Sequence, residues 1–410
     1  MKEDLSAVLQ ARGGERKEYM EVRKLTKNEH FESNLISYVA FHMCLEDPEK
    51  MREESQKLKT EDWGAFSEDG KIMARILNYR FESWLDGQLA ANGGIGAVST
   101  LPEYRNSGAI RAIFGQLLPD AYRKGEIIST LYPFNHAFYR KGGYETACWK
   151  SEYEFEPSVL KEYRFDGTAE LWKPDDPVSE YTMLYNRFAE SFNLAVHRDD
   201  PRMLEEHLKG VCYKDRKFSY LLRENGVPVA YLIFQDIRHD PAAILSVKDM
   251  AWVGRKGMNA ILGFLGRFSA DYGTIRMFLP SCLELFSFIR SPRAYDISQN
   301  VRQDYMIRAV NVRRVLEMIR KPDGSRFVIR VEGDEQIAEN NGTWEVDGDN
   351  VELTDKAPDL TVSIQAFGQM ATGCVSLYEA MYRPDVTVSA NENVLTGVFV
   401  RKPVLVTDHF

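Results

Sequence analysis

The stretch Gly96-Ala97-Val98-Ser99-Thr100-Leu101-Pro102-Glu103-Tyr104-Arg105-Asn106-Ser107-Gly108-Ala109-Ile110-Arg111 decides how the chain is read. The run up to Thr100 has strand character and a polar turn follows. From there the spacing is helical, with Ile110, Ile113, Phe114, Leu117, Leu118 and Ala121 recurring three and four apart before Gly125. A chain entering a helix through a glycine-containing loop leaves several backbone N–H groups unpaired at the positive end of the helix dipole, which seats a pyrophosphate. Gly108 has a reason to be glycine, since a side chain would stand between backbone and phosphate oxygens, and Arg105 and Arg111 add positive charge. By itself the loop reads equally well as a plain helix start.

Outward from this stretch, residues 20–25 read as a strand, 28–43 as a helix, and 63–66, 72–81 and 94–100 as consecutive antiparallel strands bounded by Gly and Asp. Residues 127–132 form an apolar run of strand length, and a strand after a helix predicts one parallel pairing. Asn135 to Lys141 is a short helical piece closed by Gly142-Gly143. If the two parallel strands splay, a thin ligand arm fits between their unpaired edges and Tyr139 faces the cleft. From about residue 169 the order repeats: helices at 179–192 and 201–209, a hairpin of 218–222 with 228–234, a strand at 243–252, a helix at 257–268 and a strand at 274–279. From about 311 a helix through Val312, Val315, Leu316 and Ile319 precedes short strands at 327–331, 343–346, 351–354 and 359–364. The tail, Val404-Leu405-Val406-Thr407-Asp408-His409-Phe410, is too apolar for a solvated terminus, which predicts that packing holds it.

Composition narrows the function classes. With 410 residues, 44% hydrophobic and 28% charged, the chain is an ordinary globular one of several domains, not a disordered, collagenous or disulfide-stapled one. A net charge of −9 argues against nucleic acid as a partner and favours cationic ones. Cys44, Cys148, Cys212, Cys282 and Cys374 are odd in number and scattered, which fits a reducing, cytoplasmic setting and predicts no metal site. No apolar run approaches the roughly 20 residues that span a bilayer, so no membrane partner and no signal peptide are expected.

The loop at Arg105-x-x-Gly108-x-Ile110, taken with Asn135…Tyr139-x-x-x-Gly143-Tyr144, resembles the acetyl-CoA site of the GNAT superfamily of N-acetyltransferases. The last loop position departs from the superfamily pattern, where a small residue is usual. A large apolar residue there is similar to the Eis (enhanced intracellular survival) branch, whose proteins join two acetyltransferase-like domains to a sterol-carrier-like domain. The resemblance implies an α+β, mixed α/β fold with mixed, mainly antiparallel sheets. It divides the chain into a flexible leader at 1–19, a catalytic GNAT domain at 20–160, a second GNAT-like domain at 161–305 and a sterol-carrier-like α+β domain at 306–410. The second domain, with Val253-Gly254-Arg255-Lys256-Gly257-Met258 where the loop would fall and no Asn…Tyr helix after it, is expected to have no cofactor site.

Carried over residue by residue, the resemblance assigns Val98, Ser99 and Thr100 to the pantetheine arm and acetyl carbonyl. Asn106, Ser107, Gly108, Ala109, Ile110 and Arg111 fall to the pyrophosphate, and Phe134 and Asn135 to later cofactor contacts; Asn135 reads equally as a helix cap. Tyr139 is implied as the general acid on the departing CoA thiolate, and the terminal carboxylate of Phe410, delivered by the third domain, as the general base. A primary amine must lose a proton before it attacks a thioester, which is why a carboxylate is useful there. The resemblance thus implies acetyl-CoA as co-substrate, a polycationic, aminoglycoside-like amine as acceptor, and a homo-oligomer, a hexamer in the branch. Two alternatives stay open: acetylation of protein lysines, and a non-catalytic protein that binds acyl-CoA or lipid.

Overall fold

The computed structural model describes residues 20–408 apart from 56–59, 174, 200–215, 239–242, 290–295, 304 and 407. The expected leader, the helix at 201–209 and the residues His409 and Phe410 lie outside the described residues.

The first unit grows around α3 (Ala109–Arg123), whose Ala109, Ile110, Ile113, Phe114, Leu117, Leu118 and Ala121 are all buried, as their spacing predicts. The chain reaches it through β1 (Glu21–Lys24), α1 (His30–Ala40), α2 (Pro48–Ser55), β2 (Glu61–Phe66), β3 (Ile72–Leu85) and β4 (Gln88–Thr100). The β3–β4 hairpin is longer than its sequence suggests. It turns at Asp86-Gly87, both left-handed, and its distal half hides its alternation behind buried polar residues such as Ser83 and Asn92, which hydrogen-bond each other at 2.9 Å. After α3 come β5 (Ile128–Leu131), α4 (His136–Arg140) and β6 (Glu145–Thr146). The β4–β5 pair is parallel, as expected of a strand that follows a helix.

The second unit comprises β7 (Trp149–Phe155), β8 (Thr168–Leu171), α5 (Ser179–Ala189), β9 (Val196–His197), β10 (Lys217–Glu224), β11 (Val227–Arg238), β12 (Ala243–Trp252), α6 (Gly254–Gly266), β13 (Thr274–Pro280), β14 (Ile297–Gln303) and β15 (Met306–Ala309). Among the described residues the first sheet runs β1-β2-β3-β4-β5-β15-β6, with β9 on β3, and the second runs β14-β7-β13-β12-β11-β10-β8. The two sheets therefore exchange strands. β7 leaves the first unit to sit between β13 and β14, and β15 comes back to sit between β5 and β6. Cuts near 160 and 305 divide the sequence, but the sheets cross them.

The third unit holds α7 (Val312–Met318), β16 (Arg326–Glu332), β17 (Gly342–Asp347), β18 (Asn350–Leu353), β19 (Leu360–Ser363), α8 (Ile364–Ala371), α9 (Leu377–Ala380), β20 (Val386–Val388) and α10 (Glu392–Val398). Its sheet, β18-β17-β16-β19-β20, shares one core with the first: Ile128, Ile307 and Ala309 pack with Val315, Phe367 and Phe399. Arg308 of β15, fully buried, donates to Asp334 Oδ2 at 2.5 Å and to the Gly142 carbonyl, stapling the two units together. The described part of the tail, Val404 to Val406, is packed as its composition predicts. Leu405 N donates to Asn193 O at 3.0 Å, and Val404, Leu405 and Val406 are buried. No helix among the described residues is long and apolar enough to cross a membrane.

Candidate active site

The site begins where two strands part. β4 and β5 pair from Asn92–Ile128 to Ile95–Leu131 and no further, while β4 continues to Thr100 held by β3. The β3–β4 register shifts between Arg75 and Leu77, so that Leu77 faces Gly96 and Arg75 faces Ser99, leaving a bulge at Ala97 and Val98. Ala97 has φ 49°, a left-handed conformation that costs a residue with a Cβ about 1 kcal/mol or more. The strain is held from behind. Ser99 Oγ donates to Ala97 O at 3.0 Å and lies 3.2 Å from Ser37 Oγ. Arg75 Nη1 donates to Ser37 Oγ at 3.4 Å and Nη2 to Asp62 Oδ2 at 2.8 Å, in a fully buried pair. Ser33 Oγ donates to Asp62 as well, so the pair's remaining valences are satisfied, as a buried ion pair requires. Burial raises the Asp62 carboxyl above its ordinary range despite Arg75.

Beyond Thr100 the chain turns through Pro102–Tyr104 and reaches Asn106 (φ 67°) and Gly108 (φ 87°) before α3 begins. Among the described residues the amides of Asn106, Gly108, Ile110 and Arg111 have no acceptor. A Cβ on Gly108 would stand in open space, so its conformation, not crowding, selects glycine. These amides open on a cavity of about 740 Å³ lined by Val98, Ser99, Thr100, Asn106, Ser107, Gly108, Ala109, Ile110, Arg111 and Phe134. Thus all but one of the residues expected to hold the co-substrate meet on one wall. The exception is Asn135, whose Oδ1 accepts from Phe138 N at 3.0 Å and caps α4. The side chain of Ile110, large where the superfamily pattern has a small residue, points into the core of the first unit.

Tyr139 lies just behind the cavity wall, 3% exposed, with its ring against Phe134 (5.3 Å), Phe138 (5.2 Å) and Phe114 (6.4 Å), all three of which line the cavity. Its hydroxyl has no hydrogen-bond partner among the described residues. Burial, with a smaller contribution from Tyr144, pushes its pKa well above the usual phenol value, so it stays a neutral phenol. The cavity also takes Phe41 from the end of α1 and Gln336 from the third unit, neither of which has any signal in the local sequence.

The tail approaches the splay from the other side. Arg198, buried, donates from Nε to Asp408 Oδ1 at 2.9 Å, and Tyr185 OH donates to Oδ2 at 2.9 Å. Tyr305 OH donates to Asp408 O at 2.7 Å, and its ring packs edge-on against Tyr132 at 5.6 Å. Tyr132 directly follows Leu131, the last β5 residue paired with β4.

The second sheet repeats this design with one part shortened. β4 reaches α3 through residues 101–108, whereas β12 reaches α6 through Val253 alone. A loop able to wrap a pyrophosphate is therefore missing, although a cavity of about 580 Å³ remains at the start of α6, lined by Gly254, Arg255, Asn259 and Arg164.

Residues 21–147 match the family model described as acetyltransferase (GNAT) domain. The chain carries a GNAT acetyltransferase domain. It is accordingly an acyltransferase, and its 740 Å³ cavity with unpaired amides and an open cradle at Gly108 fits the acetyl-CoA that GNAT domains use. Residues 311–405 match a sterol carrier protein domain. Solved structures share the fold over nearly the whole chain. They include a GCN5-related N-acetyltransferase from Anabaena variabilis ATCC 29413 (TM-score 0.82, 20% identity, 95% of this chain and 100% of that one). A conserved protein, probable N-acyltransferase, from Enterococcus faecalis V583 is similar (0.83, 21%, 95% and 100%), as is Eis1 from Mycobacterium abscessus (0.81, 19%, 95% and 100%). No curated protein sequence matches the chain.

Proposed function

We propose that the protein acetylates a primary amine of a small molecule by direct transfer from acetyl-CoA, with Tyr139 as general acid and the terminal carboxylate of Phe410 as general base. The observation that carries this reading is the wall on which the bulged strand and the unpaired amides of Asn106, Gly108, Ile110 and Arg111 meet, with a neutral Tyr139 directly behind it. Bound acetyl-CoA supplies the acetyl group as a thioester, so that the N–C bond forms as the C–S bond breaks. The Gly108 loop and the start of α3 hold the pyrophosphate, and β4 from Val98 to Thr100 aligns the arm in the splay. A backbone N–H at Val98 steadies the carbonyl oxygen. Tyr139 Oη gives its proton to the departing sulfur, and the Phe410 carboxylate takes the proton that the amine gives up.

The anchoring of Asp408 by Arg198, Tyr185 and Tyr305 supports the second role, because two residues of chain span at most about 7 Å from that fixed point. Acetyl-CoA-dependent thiol release across aminoglycosides, polyamines, amino acids and lysine peptides tests the reading. Tyr139→Phe should lower kcat about 10²- to 10⁴-fold with acetyl-CoA affinity within a few-fold; unchanged turnover would remove its acid role. One residue added after Phe410 displaces the carboxylate by about 3.3 Å or more and should have a comparable effect in folded protein. Binding of acetyl-CoA with no release from any amine would favour the non-catalytic alternative.

A further inference from the structure

The second sheet contains a splay of its own. β12 and β13 are parallel and pair from Ile244–Thr274 to Ser246–Arg276, then separate. As on β4, a register shift marks the point of departure. Ile233 faces Asp249 and Phe234 faces Val247, which leaves Lys248 on the bulge. Between the parting strands lies a cavity of about 310 Å³, bounded by Val247 to Met250 on one side and Phe278 to Pro280 on the other. In the first unit the equivalent opening belongs to the co-substrate. In the second, with the connecting loop reduced to Val253, the opening is free for another molecule.

Its position relates it to the reaction. Tyr132 lines it and immediately follows the last paired residue of β5, where the first sheet splays. Leu405 lines it from the tail, three residues before Asp408. The cavity thus adjoins both the point where the first sheet splays and the part of the tail that leads to Asp408.

The lining defines the chemistry. The body of the cavity is apolar, with Phe188, Met250, Trp252 and Leu405. Its charged groups are Lys150, Lys248 and Arg302 against the single carboxylate of Asp249. Asp249 is already engaged, accepting from Tyr231 OH at 3.0 Å with Arg198 Nη1 at 3.9 Å. Arg302 is held by the buried Glu152 at 2.7 Å. Lys248 has no hydrogen bond or ion pair among the described residues. Its proton affinity is lowered by partial burial and by the nearby Lys217 and Arg276, against the opposing pull of Glu152. A polycation would meet repulsion here. At about 310 Å³ the space sits at the lower end of small-molecule sites, the scale of an amino acid and not of an aminoglycoside.

We infer that this cavity is the acceptor site and that it takes a primary amine with an apolar, aromatic-sized body and a carboxylate, the carboxylate being held by Lys248. The inference rests on the acetyltransferase reading for the amine's fate, but the carboxylate site can be tested apart from turnover. The transfer is the one described above: the acceptor nitrogen gains the acetyl group, its proton goes to the Phe410 carboxylate, and Tyr139 protonates the leaving sulfur.

The test uses the full chain with matched acceptors: phenylalanine against phenethylamine, which lacks the carboxylate, beside kanamycin and spermidine. A charge-assisted hydrogen bond to the carboxylate should make kcat/KM for phenylalanine about 10- to 100-fold higher than for phenethylamine. In Lys248→Gln that ratio should fall to about one, and Lys248→Arg should restore most of it. Because Lys248 is solvent-exposed, the variants are expected to fold. Preference for the polycations, or a ratio unmoved by Lys248→Gln, would overturn the inference. Calorimetric titration with N-acetylphenylalanine and with its neutral amide separates the two readings. Carboxylate-selective binding lost in Lys248→Gln, with no amine turned over, would sink the transferase reading and leave the carboxylate site standing. Equal binding of acid and amide would sink the carboxylate site whatever the turnover.

Discussion

Replacing Glu126 by Gln should stabilise the protein at pH 8 far more than at pH 5. Glu126 is 6% exposed beneath the β3–β4 hairpin, and its Oε1 accepts from Asn78 Nδ2 at 2.9 Å. A Cβ built on Gly93 would stand 2.2 Å from Glu126 Oε2 and 2.9 Å from Asn78 Oδ1, so the two oxygens crowd one spot on β4. Asn78 Oδ1 has no donor. A protonated Glu126 supplies one, and burial, which outweighs the Asn78 bond and the pull of Arg80, pushes its pKa up to about 7. Its unfolded value is about 4.5. The folded state therefore binds more protons between these values, and stability falls as pH rises through that window. About 2.5 pH units at 1.36 kcal/mol each gives a loss of roughly 3 kcal/mol above pH 7.

Glutamine keeps the acceptor for Asn78, adds a permanent N–H for the orphaned oxygen and never ionises. Thermal unfolding at both pH values is the assay. Scaled to a chain of this size unfolding as one unit, roughly 3 kcal/mol corresponds to about 4 °C, and to more if the first unit melts alone. A Tm difference between variant and parent that is the same at pH 5 and pH 8 would refute the reasoning.

Other outcomes follow from single residues. Gly143→Ala should destabilise by about 3 kcal/mol or more, since Gly143 has φ +84° and the new Cβ would meet Arg308 Nη1 at 2.2 Å, breaking the buried pair with Asp334; a Tm within a degree of the parent would exclude this staple. Gly108→Val should weaken acetyl-CoA binding about tenfold or more by straining the left-handed turn ahead of α3, while Gly273→Ala, where nothing lies within 4 Å, should not; calorimetry compares them. Tyr305→Phe removes the donor that holds the Asp408 carbonyl. It should slow acetyl transfer with little change in acetyl-CoA affinity, and equal loss of both would place the effect elsewhere.

Features governed by local rules were legible in the chain itself. The stripe from Ala109 to Ala121 could become nothing but an amphipathic helix, and Gly108 and Gly125 bound it because each takes a left-handed φ. The β11–β12–α6–β13 succession and the parallel β4–β5 pair follow from period and turn chemistry over a few dozen residues, and ten of the eleven residues that the resemblance assigned to the co-substrate line one cavity. Asn135 shows the limit of a motif: the same side chain serves the helix end it caps, and only the coordinates show which way its oxygen points.

What the tertiary structure alone decided depends on partners far apart in the chain. β15 lies between β5 and β6, and β7 between β13 and β14, because strand pairing is chosen by free edges and buried faces, and a strand's own alternation does not encode its neighbour. Gln336 reaches the co-substrate cavity, and Arg198 fixes Asp408, across more than two hundred residues of sequence. The charge around Lys248 is likewise a property of the assembled splay. The chain's net −9 pointed to a cationic partner, yet the cavity at the second splay gathers three cations around one engaged carboxylate. Net charge sums over the whole surface, whereas an acceptor responds to the few groups that folding brings within a Debye length of it.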